Sequence, residues 1–287
     1  MSVHWSRLTD PLYFREQAFL YLLSSEVENT LVIANTLRLC DKPGFYKDTQ
    51  FWIGRDGAQN IKGVAWCMPP HPLGFSRLSP AAMDSLILAL QHQQFSTSGC
   101  IGPKESVALF IERWLNHHEI SDVSLMSQRI WKLDKVILPL APQGSMRSAR
   151  PSEVPVLLDW SDAFMVECGI PSTRSEVQKI LQSSQERLGR YVWETDRGIV
   201  SMADISGFTP SGSRIGWVYT PPLERGQGYA GRLVAELSQA QLDLGYKFCS
   251  LYTDLANPIS NRIYEKIGYR PVCDASMATF AAGPMRR

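Results

Sequence analysis

The chain has 287 residues, of which 44% are hydrophobic and 10% aromatic, and its 29 basic and 28 acidic residues leave a formal net charge of +1. This length suits one large domain or two of ordinary size, and the hydrophobic content excludes global disorder. Without a basic surplus, neither nucleic acid nor an anionic membrane is expected as the main partner. The first ten residues lack an apolar signal core, and no stretch approaches the roughly 18 apolar residues of a membrane span, so we expect a cytoplasmic protein.

The cysteines are scattered at wide spacings, and none forms a CxxC pair, so a zinc site has no support and no metal is predicted. Reduced, buried thiols of a cytoplasmic protein are the expected state. The six positions are Cys40, Cys67, Cys100, Cys168, Cys249 and Cys273.

In the first half of the chain, apolar spacing and turn residues predict a mixture of helices and strands. The predicted segments are, in order, a helical region at Leu12–Leu39, strands at Gln50–Ile53 and Ile61–Cys67, helices at Ser79–Gln91 and Lys104–His117, and a strand core within Ser127–Leu138.

A break follows at Leu138–Ser148, where two prolines, a glycine and small polar residues suit a linker. We place the boundary near Gln143, which predicts domains at 1–142 and 143–287. The second half is predicted to contain a strand at Met146–Arg150, helices at Pro151–Cys168 (with Ser152 as N-cap) and Thr173–Leu188, strands at Arg190–Glu194, Ile199–Ile205 and Ile215–Thr220, a helix at Gly228–Leu244, a strand at Lys247–Tyr252, a helix at Asn257–Ile267, and closing strands at Arg270–Val272 and Met277–Phe280.

This order predicts an α/β fold with a mixed sheet and helices on both faces. The first half repeats the order loosely, as a helical segment, a hairpin, two helices and a final strand. The element order alone therefore predicts an internal duplication, because no residue-level repeat is visible.

The most informative segment is the loop Arg225-Gly226-Gln227-Gly228-Tyr229-Ala230, which leads from an apolar strand into a long helix. The first N–H groups of a helix lack intrahelical partners and lie at the positive end of its dipole, so such a loop can bind phosphate. The glycines let a phosphate approach the backbone, and Arg225 adds charge. Tyr229 is expected to pack through its ring and to offer only its backbone to a ligand.

Two well-known kinds of phosphate site, the P-loop and the dinucleotide site, can be compared with this loop. A P-loop requires Lys followed by Ser or Thr after its last glycine, and here Tyr229 and Ala230 follow Gly228. The run also fits the string GxGxxG of dinucleotide sites. However, Asp254 is poorly placed as the acidic partner and a hairpin precedes the motif, so nicotinamide binding ranks lower.

Arg225 to Ala230 and the strand before it resemble the R/Q-x-x-G-x-G/A motif of the GNAT acetyltransferase superfamily. The resemblance implies that the backbone amides of Arg225, Gly226, Gln227, Gly228, Tyr229 and Ala230 bind the pyrophosphate of acetyl-CoA. It also implies that the strand residues Val218, Tyr219 and Thr220 pair with the pantetheine arm through their backbone.

A second match follows, because Asn257 to Tyr269 looks like the family's N-x-x-S/A-x-x-x-Y-x-x-x-G-F/Y segment. Asn257 suits an N-cap and Pro258 a first helical position, while Asn261 and Tyr264 share a face with Asn257. Ile259, Ile263 and Ile267 are expected to face the core. The resemblance implies that the tyrosine at position 264 protonates the departing CoA thiolate and that the asparagine at position 257 contacts the cofactor; we assign Asn261 to the same site.

The two motifs identify the donor and leave the acceptor open. A small-molecule or peptide amine is expected, and an oligomer is compatible with the sequence. Asp204 and Glu167 are candidates for the general base that the attacking amine requires, although a solvated or capping role is more typical of each. The leading hypothesis is an acetyl-CoA-dependent N-acetyltransferase with a degenerate GNAT-like N-terminal domain. The alternative is a non-catalytic acyl-CoA sensor or partner-binding module.

Overall fold

Two units emerge from the computed structural model, which describes residues 3–118, 120–169, 174–175, 177–178 and 189–282. Unit 1 comprises Met1–Ile130 and Cys273–Arg287, and unit 2 comprises Trp131–Val272. The helix predicted at Thr173–Leu188 lies largely outside the described residues. Among those residues, no helix is long and apolar enough to cross a membrane.

In unit 1, a helix pair precedes a run of antiparallel strands, and a parallel pair follows. Its elements are β1 (His4–Leu8), α1 (Pro11–Leu23), α2 (Thr30–Asp41), β2 (Gln50–Arg55), β3 (Ile61–Cys67), β4 (Leu73–Phe75), α3 (Pro80–His92), β5 (Gly99–Pro103), α4 (Lys104–Leu115) and β6 (Ile120–Leu133), whose last three residues belong to unit 2. Strands β1 to β4 pair antiparallel in chain order, and β4 pairs parallel with β5.

Unit 2 has the same plan. Its elements are β7 (Ser145–Ser148), α5 (Val154–Glu167), β8 (Arg190–Thr195), β9 (Gly198–Phe208), β10 (Gly212–Tyr219), α6 (Tyr229–Asp243), β11 (Phe248–Asp254), α7 (Pro258–Ile267) and β12 (Arg270–Ala282), which ends in unit 1. Strands β7 to β10 pair antiparallel in chain order, and β10 pairs parallel with β11. The repeated order and pairing agree with the predicted duplication, and the predicted α/β class is confirmed.

Unit 1 takes its closing strand from the far end of the sequence. Ala275–Thr279 of β12 pair antiparallel with Gly99–Pro103 of β5. The second part of unit 1 is therefore a segment that follows all of unit 2 in the chain.

In each unit, hydrophobic cores lie on both faces of the sheet, because successive strand residues point to opposite faces. In unit 2, Trp193 and Ala203 pack in the core that includes α6 and α7, whereas their neighbours Val192 and Met202 pack in the core that includes Leu157 of α5. Helices therefore cover both faces of unit 2, as predicted.

Two local predictions were wrong. Helix α5 begins at Val154 after a 3-10 turn at Pro151–Glu153, so Ser152 is not its N-cap; instead the Glu153 carboxylate accepts a hydrogen bond from the backbone N–H of Arg150 at 2.7 Å. Ile259 does not face the core, because its side chain is 72% exposed, whereas Ile267 is buried. The domain boundary near Gln143 stays a prediction, and the contacts divide the chain at 130/131 and 272/273.

Candidate functional site

Strands β10 and β11 pair over only part of their length. Their parallel register joins Gly212–Arg214 to Phe248–Ser250, and the rest of β10 continues without a paired residue on β11 in the described ladder. The carboxyl ends of the two strands therefore separate. In the described part of the chain, the backbone groups of Val218 and its neighbours have no registered partner on β11, as expected for a strand that pairs with an extended ligand.

A bulge shapes the end of β10. The register with β9 shifts between Gly216 and Tyr219, and Trp217 within the bulge has a φ of 54°, a conformation that costs energy for an aromatic residue. The buried Ser201 hydroxyl donates to the Tyr219 carbonyl at 3.1 Å and lies 2.9 Å from the Thr220 hydroxyl, so the strand end is held in place. The sequence offered no signal for this bulge beyond the proline pair that follows.

The loop after β10 presents an open backbone. A 3-10 turn at Pro222–Glu224 leads to Gly226 and Gly228, whose φ values are 81° and 85°. A Cβ added to either glycine would meet no atom within 4 Å. The glycines are therefore required by their positive φ, and the space beside their backbone is available to a ligand.

The 15-residue helix α6 begins at the end of this loop without a cap. Its N-cap is Gly228, which provides no side-chain capping hydrogen bond, and no acidic residue lies in the first turn. The first N–H groups and the positive end of the helix dipole are therefore open to an anion. Gln227 is exposed, Ala230 is half-buried, and Tyr229 is buried in the core, so the ring of Tyr229 packs as predicted.

The side chain of Arg225 is held by the protein itself. Its Nε donates to the Thr220 carbonyl at 2.9 Å, and its Nη2 lies 2.7 and 2.8 Å from the two carboxylate oxygens of Glu167. The guanidinium carbon also lies 5.7 Å from the centre of the Tyr219 ring. Arg225 thus joins the loop to the carboxyl end of α5.

Helix α7 is anchored by the two asparagines that were predicted to bind the cofactor. The Asn257 side chain caps the helix by accepting from the Ser260 N–H at 3.1 Å. Asn261 accepts from the Thr253 hydroxyl at 2.6 Å and donates to the Asp254 carbonyl at 3.3 Å. Asn257 therefore caps its own helix and Asn261 ties α7 to the end of β11, and the predicted contact of both side chains with the cofactor stays a prediction.

Tyr264 lies in the same core as Tyr229, and its ring packs edge-on against Tyr269 with centroids 5.9 Å apart. A Cβ on Gly231 in the first turn of α6 would come within 3.3 Å of Ile263, which shows how closely α6 approaches α7 beside this tyrosine. Burial raises the pKa of the Tyr264 hydroxyl, and the nearby Cys168 adds to the rise. The phenol is therefore protonated at neutral pH, as an ordinary tyrosine is, and it holds its proton more tightly.

The two carboxylates considered as a general base both have cationic partners. Asp204 is buried and forms a bidentate ion pair with Arg190, with N–O distances of 2.6 and 2.7 Å. Burial raises the pKa of Asp204 while Arg190 opposes the rise, and both of its oxygens are occupied. Glu167 is half-exposed and holds Arg225. Among the described residues, no group of three His, Cys, Asp or Glu side chains could hold a metal ion.

Residues 197–277 match the family model described as FR47-like protein, a GNAT-related family, and this range includes both motifs. A solved Drosophila protein is 14% identical with a TM-score of 0.67 over 96% of this chain and 98% of that one. A GNAT-family acetyltransferase from Colwellia psychrerythraea is 12% identical with a TM-score of 0.59 over 96% and 99% of the two chains. A GCN5-related N-acetyltransferase from Kribbella flavida is 14% identical with a TM-score of 0.53 over 78% and 88%.

No curated protein sequence matches the chain. The solved structures share its fold at low identity, and two of them do so over nearly the whole length of both chains. The protein therefore has the fold of the GNAT-family acetyltransferases, with a GNAT-related FR47-like region at residues 197–277.

Proposed function

We propose that the protein transfers the acetyl group of acetyl-CoA to a primary amine. The observation that carries the proposal is the uncapped start of α6, which follows two glycines at positive φ and open space beside their backbone. A pyrophosphate matches the N–H groups and the positive dipole of such a helix start. The separated ends of β10 and β11 supply the second feature, an unpaired strand edge for an extended pantetheine arm.

The residues present fit this donor. The amides of Arg225 to Ala230 would hold the pyrophosphate, and the backbone of Val218, Tyr219 and Thr220 would pair with the arm. When bound, acetyl-CoA supplies the thioester carbonyl that an amine attacks. A backbone N–H near Val218–Thr220 would stabilise the oxyanion, because donors that point at developing charge lower the barrier.

Tyr264 would donate its proton to the leaving thiolate. Burial raises the pKa of the hydroxyl, which keeps it protonated, and Tyr264 shares a core with Tyr229, the first residue of α6. The Asp204 carboxylate is sequestered by Arg190, so a chain of water molecules would remove the proton from the acceptor amine. The acceptor would be a small-molecule or peptide amine in the cytoplasm; neither nucleic acid nor a membrane is proposed as a partner.

One observation favours a second candidate, a non-catalytic acyl-CoA sensor. The two carboxylates considered as a base, Asp204 and Glu167, are both ion-paired in the described structure. A domain that binds the donor without deprotonating an acceptor would tolerate such pairing.

Calorimetric titration with CoA and a screen of amines for release of the free CoA thiol test both candidates. The enzyme predicts saturable CoA binding and thiol release that depends on one class of amine. Binding of CoA without turnover of any amine would support the sensor. Failure to bind CoA at millimolar concentration would overturn both.

A further inference from the structure

The ion pair between Glu167 and Arg225 joins residues 58 positions apart in the chain. One nitrogen, Nη2 of Arg225, lies within 2.8 Å of both Glu167 oxygens, while Nε of the same side chain donates to the Thr220 carbonyl. The guanidinium therefore lies over the end of β10, directed at α5. In this arrangement the guanidinium forms an ion pair with the Glu167 carboxylate.

Glu167 occupies an unfavourable place for an acid. It is the last residue of α5, where the helix dipole is negative, and no basic residue lies in the last turn of that helix. Arg225 supplies the compensating charge from outside the helix. Both side chains are nearly half exposed, at 47% and 46%, so water screens the pair and it can be broken at low cost.

Arg225 is also the first residue of the proposed pyrophosphate loop, Arg225 to Ala230. A pyrophosphate offers a guanidinium more charge and more acceptor oxygens than a single carboxylate does. The Nη2 group that holds Glu167 cannot keep both of its short contacts and bind a phosphate oxygen as well. The carboxylate also neutralises the guanidinium charge, so Glu167 and the donor compete for one cation.

We infer that Glu167 competes with the donor pyrophosphate for Arg225 and thereby sets the affinity of the site. In the free protein Arg225 is held by Glu167, and donor binding moves the guanidinium from the carboxylate to the phosphates. Glu167 is a positioning residue that acts through Arg225. This inference rests on the proposed function, since it requires a pyrophosphate ligand at the loop.

The test is a calorimetric titration of the full chain with CoA, comparing wild type with Glu167→Gln, Arg225→Gln and the double variant. Glu167→Gln removes the competitor, so CoA binds about two- to fivefold more tightly, as expected for one exposed ion pair. Arg225→Gln weakens binding by a similar factor. In the Arg225→Gln background, Glu167→Gln has no further effect, because no cation is left to compete for.

Glu224→Gln is the matched control. Glu224 lies in the same loop next to Arg225 but pairs with Arg197 at 2.9 Å, so its substitution removes the same charge without touching the Glu167–Arg225 contact. Equal tightening by Glu224→Gln would show a general electrostatic effect and overturn the inference. Weaker CoA binding by Glu167→Gln would also overturn it, since Glu167 would then support Arg225. If wild type binds no CoA, the proposed function itself fails.

Discussion

The junctions β4–α3 of unit 1 and β10–α6 of unit 2 follow equivalent strands, each antiparallel to the strand before it and parallel to the strand after the helix. In unit 1, the Ser79 hydroxyl caps α3 by accepting from the Ala82 N–H, and Pro80 occupies the first turn. In unit 2, Gly228 stands at the cap and its helix start is open. The same connection is thus closed by its own side chain in one unit and open to a ligand in the other.

Helix α4 of unit 1 and helix α7 of unit 2 also differ in the polar groups that they carry. Counted from the first residue of each helix, Phe110 of α4 and Tyr264 of α7 are both seventh. Unit 1 therefore has a fully buried phenyl ring where unit 2 has a buried phenol, and Pro103 stands without a side-chain cap where Asn257 caps α7. The fold accepts either side chain at each of these two positions, whereas the proposed chemistry requires the hydroxyl of Tyr264.

The largest expected effect comes from Tyr264→Phe, which gives unit 2 the side chain of unit 1. Loss of the proton donor should lower kcat by about 10²- to 10⁴-fold, the range for general acid catalysis. The affinity for CoA, measured by calorimetry, should stay close to that of wild type, because the ring that packs on Tyr269 is retained.

Tyr246→Phe is the matched control, because Tyr246 stacks on Phe208 at 5.3 Å and belongs to neither motif. An unchanged kcat in Tyr264→Phe would contradict the assignment. The pH profile tests the protonation state of Tyr264. Burial raises the pKa of Tyr264, so the acid stays protonated as the pH rises through the range where an ordinary tyrosine ionises, and kcat should not fall there.

A smaller effect is expected from Gly228→Ala, compared with Gly245→Ala at the other end of α6. Both glycines have positive φ, 85° and 98°, and open space around an added Cβ, so each substitution should cost about 1–2 kcal/mol of stability in urea titrations. Only Gly228→Ala should also weaken CoA binding, because its methyl group enters the space beside the loop. Equal CoA affinity in the two variants would argue against the open helix start as the phosphate site.

The smallest effect is expected in unit 1. Ser79→Ala removes the cap of α3 and should cost about 1 kcal/mol of unfolding free energy, measured by urea denaturation. CoA affinity should not change, because the capped helix start of unit 1 has no proposed ligand. A change in CoA affinity would break the distinction between the two junctions.

Local features of the fold were predictable from the sequence. Asn257 and Pro258 mark the start of α7, and Gly245 follows the end of α6, because caps and helix ends depend on a few neighbouring residues. The glycine-rich loop was predictable for the same reason, because Gly226 and Gly228 allow the positive φ values that its backbone adopts.

Features that depend on distant residues were not predictable. Ile259 follows the apolar spacing of its helix yet is exposed, since periodicity alone does not say which positions another element covers. The bulge at Trp217 arises where β10 leaves β11, and the partners of Glu167 and Asp204 lie on other elements. A sequence read locally shows which groups are present but not which of them are already paired.

The pairing of β12 with β5 has a consequence for synthesis of the chain. Residues 99–103 leave the ribosome about 170 positions before their partners at 275–279, so the sheet of unit 1 stays incomplete while all of unit 2 is translated. Until then β5 exposes an unpaired edge, a surface that invites association with other chains. Unit 1 is thus the first unit to be translated and the last to be completed. A premature stop after unit 2 would leave unit 1 without β12 and prone to aggregation.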